Sequence, residues 1–312
     1  YNRDNLSSGW FKIQKNVDKY TVTKNIHSAY AEATYQFTSR WIVNLGLKYD
    51  YVDINVDYNV NRGGSEGSNT IRKDYFLPSL NLKYNLNEKH SLRLGASKTY
   101  TLPQAKEISP YRYVGVNFNS QGNPNLKPSD NYNFDLKWDF NPSPTELVSL
   151  TAFYKHIKDP ISRIEVASAG GYLSYENISD RAIVAGVEVE IRKNLFVRPL
   201  SSAANGMNKL SFGLNGSYIY TNAKMPLATV TTGSQLEGAA PWIVNFDLSH
   251  NFTKGERSFV NTLVLNYVSD KIYTIGTQGY QDMMEKGVLT LDFVSQAKLN
   301  KHLSLNLKAR NL

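Results

Sequence analysis

The 312-residue chain contains no cysteine. This excludes disulfides, thiolate metal sites and cysteine nucleophiles, and it is compatible with a periplasmic or outer-membrane route. The chain also lacks any apolar run near the roughly 18 residues of a membrane-spanning helix, so a helical membrane protein is excluded. A membrane barrel is not, because half of each barrel strand is polar. Histidine is scarce: His27, His90, His156, His250 and His302 fall in separate strands or turns without ligand spacing, and no metal site or cofactor is expected from them. The net charge of +8 is spread along the chain rather than gathered into a basic stripe with interleaved aromatics, so nucleic acid is not an expected partner. The opening "YNRDNLSSGWF" has no initiator Met, basic region or apolar core of a signal peptide, and it reads as a piece of something longer.

What the chain has in quantity is alternation. In "YNFDLKWDF", Tyr132, Phe134, Leu136, Trp138 and Phe140 fall on one side of an extended chain and Asn133, Asp135, Lys137 and Asp139 on the other. The same pattern sets Trp41, Val43, Leu45, Leu47 and Tyr49 against Asn44, Lys48 and Asp50, and Leu92 and Leu94 against Arg93. It recurs with Val187 and Val189 against Glu188 and Glu190, and with Val244, Phe246 and Leu248 against Asn245 and Asp247. About twelve such strands are expected, each near the ~9 to 11 residues of a tilted membrane strand. No sustained helical period is present.

Either a soluble sheet or a membrane barrel accepts such ribbons, and the connections favour the barrel. Short ones ("TSR", "NEKH", "NPSPTE", "TKGERS", "NKH") alternate with long ones over residues 59–74, 103–130, 158–181, 222–240 and 269–287. Transmembrane barrels show this asymmetry, with tight periplasmic turns and longer extracellular loops. "NLFVRPLSSAANGMN", from Asn194, is long where a short turn is due. Aromatics gather toward strand ends (Trp41, Tyr51, Tyr100, Trp138, Phe140, Tyr218, Tyr220, Trp242, Phe252), as in interfacial girdles.

Little points to catalysis. Ser149 and His156 share one strand but stand seven residues apart, too far for a nucleophile and base pair. "NRGGSEGSN", from Asn61, has paired glycines but no following helix, so it reads as a flexible loop and not a phosphate cradle. No catalytic residue is assigned and an enzyme is not expected. The connection "LPQAKEISPYRYVGVNFNSQGNPNLKPS" is the candidate for ligand contact, through Tyr111, Arg112, Tyr113, Phe118 and Asn119. Aromatics with an Arg are typical of binding surfaces, and long loops carry function. A purely structural loop folded over the barrel mouth is the alternative.

The blocks "GNPNLKPSDNYNFDLKWDF", "SLTAFYKHIKDPISRIE", "YENISDRAIVAGVEVEI", "LEGAAPWIVNFDLSHNF" and "LDFVSQAKLNKHLSLNLKARNL" resemble, in order and spacing, the C-terminal barrel of TonB-dependent outer-membrane receptors, in the style of Bacteroidetes members. The resemblance covers His27 to Leu312. It implies an all-β, antiparallel transmembrane β-barrel of 22 strands filled by an N-terminal plug. Residues 1–312 are then expected to be a partial barrel of about twelve strands, with the plug and the final strand missing. By that resemblance the protein sits in the outer membrane of a Gram-negative bacterium and binds and imports a scarce solute, namely a siderophore, cobalamin, a glycan or a peptide. Expected partners are outer-membrane lipid, the solute or oligomer ligand, the TonB complex through the missing N-terminal region, and a surface lipoprotein. Lys48, Asp50, Arg93, Asp135, Lys137, Asp139, Glu188, Glu190 and Asp247 are expected to face the lumen, holding the plug or keeping the path wet. A passive porin or small closed barrel is the alternative.

Overall fold

A computed structural model of the protein describes residues 19–60, 65–168, 171–200, 206–225 and 235–312. The first strands are β1 (Lys19–Gln36), β2 (Trp41–Val60), β3 (Ser65–Asn85) and β4 (His90–Thr101), followed by the single-turn helix α1 (Ala105–Ile108). Then come β5 (Arg112–Val114), β6 (Asn119–Gln121), β7 (Ser129–Phe140), β8 (Leu147–Lys158), β9 (Ile161–Val166) and β10 (Tyr172–Asn177). The remainder is β11 (Arg181–Pro199), β12 (Met207–Ala223), β13 (Trp242–Lys254), β14 (Arg257–Val268), β15 (Lys271–Gly276), β16 (Met283–Glu285), β17 (Val288–Lys298) and β18 (Ser304–Ala309).

Twelve of these form one antiparallel sheet in the order β1-β2-β3-β4-β7-β8-β11-β12-β13-β14-β17-β18. Its tight turns have local causes. Thr38 Oγ1 accepts the N–H groups of Arg40 and Trp41, and Asn87 and Asn300 each accept two N–H groups in the same way. In "TKGERS", Gly255 takes φ +60°, which a Cβ would oppose.

The sheet is staggered as a barrel wall is. The register row that starts at Trp41, beside a tight turn, passes through Tyr84, Leu92, Trp138, Leu150, Val189, Gly216, Val244 and Tyr267 to Leu289, beside a long connection. Strands that climb steadily past one another in this way are tilted to the barrel axis. The residues of this row share one face, and that face is apolar and open: Leu45, Leu47, Phe134 and Leu136 are each more than half exposed. Ring pairs stand at both of its margins, Trp41 with Tyr84 at 4.3 Å and Tyr218 with Trp242 at 4.7 Å. The chain forms no closing pair between β1 and β18 among the described residues.

The long connections depart from expectation. Between Asn59 and Asp74 the hairpin of β2 and β3 continues with unbroken register from Asn59↔Glu66 to Tyr51↔Asp74; the paired glycines at 63 and 64 lie outside the described residues. Likewise β11 and β12 stay paired to Pro199↔Met207, through a bulge between Asn194 and Phe196, so much of that long turn is strand. Three other connections build a second, six-stranded sheet in the order β16-β15-β9-β10-β6-β5. Its parallel junctions, Leu173↔Ser120 and Ile275↔Ile164, join strands from different connections.

Two small cores hold this layer down. Val52, Ile54, Val56 and Tyr75 of the long hairpin pack with Ile108, Leu126 and Tyr175. Ile164, Ile178, Leu236, Ile272 and Ile275 form the other. Each such buried aliphatic side chain is worth about 1.5–3 kcal/mol.

Candidate ligand-binding surface

The five loop residues singled out in the sequence fall together on one short hairpin. Arg112 and Tyr113 lie in β5, Asn119 opens β6 opposite Val114, and the Gly115 N–H donates to the Phe118 carbonyl at 3.2 Å to close the turn. Tyr111 precedes β5, with its ring 5.7 Å from that of Tyr20. The hairpin base is anchored at Gly122, where a Cβ would run into the carbonyl oxygens of Ser109 and Lys106. Tyr113, Val114 and Phe118 are exposed.

Around this hairpin the structure adds residues that sequence reasoning missed. The Lys106 ammonium lies 5.0 Å from the Tyr113 ring centre, and the Arg112 guanidinium lies 5.4 Å from that of Tyr172 on β10. On the neighbouring strands the Arg163 guanidinium sits 4.4 Å over Tyr273, whose ring is 6.4 Å from Phe118. Three cation–ring pairs are thus spread over one sheet, and each contributes about 0.5–1 kcal/mol where exposed. Tyr20, Lys106, Ser109, Tyr111, Tyr113, Ser120 and Gly122 line a cavity of about 240 Å³. No sequence pattern could have joined Arg112 to Tyr172 or Phe118 to Tyr273, because each pair comes from separate connections.

Glu237 ties a further connection to this layer. Its carboxylate accepts the Arg163 N–H at 2.5 Å and stands 3.3 Å from the Arg163 guanidinium. Burial pushes the Glu237 carboxyl above its ordinary range, aided by Glu107 and opposed by Arg163. The base of the last long connection is clasped by Asp270, which accepts Gly287 N–H at 2.7 Å and Lys286 Nζ at 2.9 Å. These two donors, the backbone N–H first, hold the Asp270 carboxyl below its usual range.

The nine residues expected to face the lumen share one face of the large sheet. Opposed partners in an antiparallel ladder point the same way and residues alternate along a strand. The chain of pairs Asp50↔Tyr75, Ser79↔Ser97, Gly95↔Asp135, Lys137↔Thr151, Thr151↔Glu188, Glu190↔Asn215 and Gly213↔Asp247 links them all, with Lys48, Arg93 and Asp139 in step. This face carries ion pairs: Lys48 with Asp50 at 2.9 Å, Arg192 with Glu190 at 2.7 Å, and Arg93 and Lys137 with Asp139 at 3.4 and 3.5 Å. Ser149 lies on this face and His156 on the other, so they form no catalytic pair. Among the described residues no group of acidic or His side chains could hold a metal ion.

One aromatic departs from the girdle expected of it. The β3–β4 ladder stops at Ser79↔Ser97, next to Pro78, which has no N–H to give, although both strands run on. Tyr100, just beyond the opened seam, stacks on Tyr75 at 3.9 Å and donates its hydroxyl to the fully buried Asp50 at 2.7 Å.

The apolar outer face, polar inner face and staggered register describe the wall of a transmembrane barrel. Residues 1–312 match the family described as TonB dependent receptor-like, beta-barrel. The chain belongs to this family. It is 25% identical over 228 residues to the "Iron-regulated outer membrane virulence protein" of Vibrio cholerae serotype O1, covering 70% of this chain and 32% of that protein. It is 28% identical over 170 residues to the "Probable TonB-dependent siderophore receptor PirA" of Acinetobacter baumannii, covering 51% of this chain and 20% of that one. The ferric yersiniabactin uptake receptor FyuA from Yersinia pestis shares the fold, with a TM-score of 0.68 and 16% identity over 95% of this chain and 41% of that chain. The copper transporter OprC does so with a TM-score of 0.67 and 14% identity over 93% and 42%. The chain therefore spans about a third of the length of the first curated relative it matches. This TonB-dependent receptor barrel resides in the outer membrane of a Gram-negative bacterium.

Proposed function

We propose that this chain supplies wall strands and capturing loops to an active importer of an anionic iron chelate. On this reading the long connections lie outside the cell, the inner face lines a wet path, and TonB supplies energy through a part of the protein beyond this chain. Large-sheet edges at β1 and β18 would be completed by further barrel strands, because hydrocarbon does not tolerate unpaired backbone groups. The observation that carries the ligand class is the set of cation–ring pairs Lys106/Tyr113, Arg112/Tyr172 and Arg163/Tyr273 across the loop sheet. Rings offer flat contact area, and Lys106 and Arg112 offer charge to an anionic, aromatic-bearing chelate, whereas Arg163 is already paired with Glu237. The names of the Vibrio and Acinetobacter relatives, iron-regulated and siderophore receptor, support the same class.

The test is accumulation of a radiolabelled ferric catecholate by cells carrying the full-length receptor. Uptake should require TonB, fall at least tenfold in a Lys106→Ala/Arg112→Ala variant, and exceed uptake of an uncharged ferric hydroxamate. Solute flux or ion conductance that persists without TonB would favour a passive pore instead.

A further inference from the structure

The opened seam beside Pro78 leaves one long strand edge without a neighbour. β3 pairs with β2 from Val60↔Ser65 to Trp41↔Tyr84, but on its other side it pairs with β4 only from Ser79 to Asn85. Among the described residues no strand lies against that side of β3 from Ser65 to Pro78. In an antiparallel strand every second residue turns its N–H and C=O away from the partner it has, so this stretch presents a row of unused donors and acceptors.

Opposite this edge runs the segment that enters β7, and residues 69–73, residues 124–128 and Asp159 line a groove of about 600 Å³ between them. The far wall is pinned from behind: Leu126 is buried in the first core, and Asn177 accepts the Lys127 N–H at 2.8 Å and donates to the Lys127 carbonyl at 2.9 Å. The foot of the groove is closed by Lys73 with Asp130 at 3.0 Å and by the stack of Tyr75 on Tyr100. At the other end the Asn69 side-chain amide reaches across and donates to the Pro124 carbonyl. A carboxamide N–H is the same kind of donor as a backbone N–H. The Asn69 side chain therefore stands where the peptide group of a third chain would lie.

We propose that this groove takes a single extended peptide, supplied by another protein, as an added strand on β3. At about 3.4 Å per residue the five positions 69–73 span roughly 17 Å, which fits a segment of about five to seven residues. A second copy of β3 is disfavoured by shape, because its own β2 would follow it into the groove and meet the 124–128 wall. Main-chain hydrogen bonds supply the affinity and the flanking side chains the selectivity. Arg72 and Lys73 are already held by Asp53 and Asp130. Lys127 is exposed and takes part in no ion pair among the described residues, and neither does Asp159. Asp159 lies two residues further along the wall, where its carbonyl accepts the Ser129 hydroxyl at 2.8 Å. The favoured peptide thus carries an acidic side chain and, two places on, a basic one on the same side of the strand.

The experiment uses the full-length receptor in detergent and a fluorescein-labelled, end-capped peptide of alternating Thr and Val in which one Glu is followed, two places on, by one Lys. Fluorescence anisotropy should show saturable binding, and hydrogen exchange should show the amides of residues 69–73 protected when the peptide is added. The peptide N-methylated at alternate residues should, in one of its two registers, bind about tenfold more weakly, because it no longer donates to β3. Asn69→Ala should bind the peptide more tightly, since no side-chain amide has to be displaced. Lys127→Glu should lose this peptide and accept one with Lys in place of its Glu, and neither variant should change the heat-modifiable mobility of the folded barrel. No saturable binding, full binding by both N-methylated peptides, or binding that leaves residues 69–73 unprotected would overturn the proposal. So would a concentration-dependent dimer protected at the same residues that the peptide does not dissociate, which would make a second copy the occupant. Binding in detergent is independent of sidedness and of import, so a receptor that binds the peptide but takes up no ferric chelate would refute the import reading and leave the groove standing.

Discussion

At the junction of Tyr51 and Val52 the apolar side of β2 changes face. From Val43 to Tyr51 the large apolar residues of the strand point outward, with Leu45 and Leu47 exposed; from Val52 on they point inward, and Val52, Ile54 and Val56 are buried under the loop layer. The outward positions beyond become Asp53, Asn55 and Asp57. On the proposed reading, the outer face meets hydrocarbon below this junction and water above it.

The depth dependence follows. Phe134→Arg, in the middle of the apolar band, should cost about 2–4 kcal/mol of barrel stability, as Arg does at a bilayer midplane. Thr23→Arg on the same face above the junction should stay within about 0.5 kcal/mol, and so should Asp135→Asn on the inner face. Unfolding of the full-length receptor in bilayers measures all three; equal sensitivity at Phe134 and Thr23 would remove the boundary.

The seam beside Pro78 makes a second prediction. Tyr100→Phe takes a donor from the buried Asp50 and should cost about 1.5–3 kcal/mol. Tyr75→Phe removes a buried hydroxyl that has no hydrogen-bond partner, so it should be neutral or stabilising. Chemical unfolding of the two variants side by side checks the contrast.

Glu237 predicts a pH dependence of the loop layer. Its folded carboxyl titrates above the ordinary value of 4.5, so the folded state holds the proton more tightly than the unfolded one. Stability from this site is then greatest below 4.5 and declines as pH rises through the raised folded value. Hydrogen exchange at residues 235–240, corrected for intrinsic rates, should show protection falling over that interval. Glu237→Gln should flatten the profile while keeping an acceptor for the Arg163 N–H.

Much of the wall was legible in sequence because lipid imposes a strict period of two: Phe134 against Asp135, or Val187 against Glu188, leaves one assignment of faces. The long hairpin was not, because "VDINVDYNV" keeps the alternation but swaps its sides at Val52 and becomes polar enough to resemble a loop. The second sheet was hidden for another reason. Strands of three to six residues such as β5, β6 and β9 carry too little pattern alone, and their partners lie in other connections. Tyr111, Arg112 and Tyr113 were singled out from composition, whereas Tyr172, Arg163 and Tyr273 join them only through that non-local pairing.

On the proposed reading the β5–β6 hairpin looks out of the cell and the tight turns look into the periplasm. This chain has no cysteine of its own to compete with an introduced thiol. Val116 is fully exposed at the hairpin tip, and Glu256 sits in the tight turn between β13 and β14. In the full-length receptor, a membrane-impermeant maleimide should label Val116→Cys on intact cells and Glu256→Cys only after the outer membrane is opened. Labelling of Glu256→Cys on intact cells, with Val116→Cys protected, would show the opposite topology, with the tight turns outside and the hairpin in the periplasm.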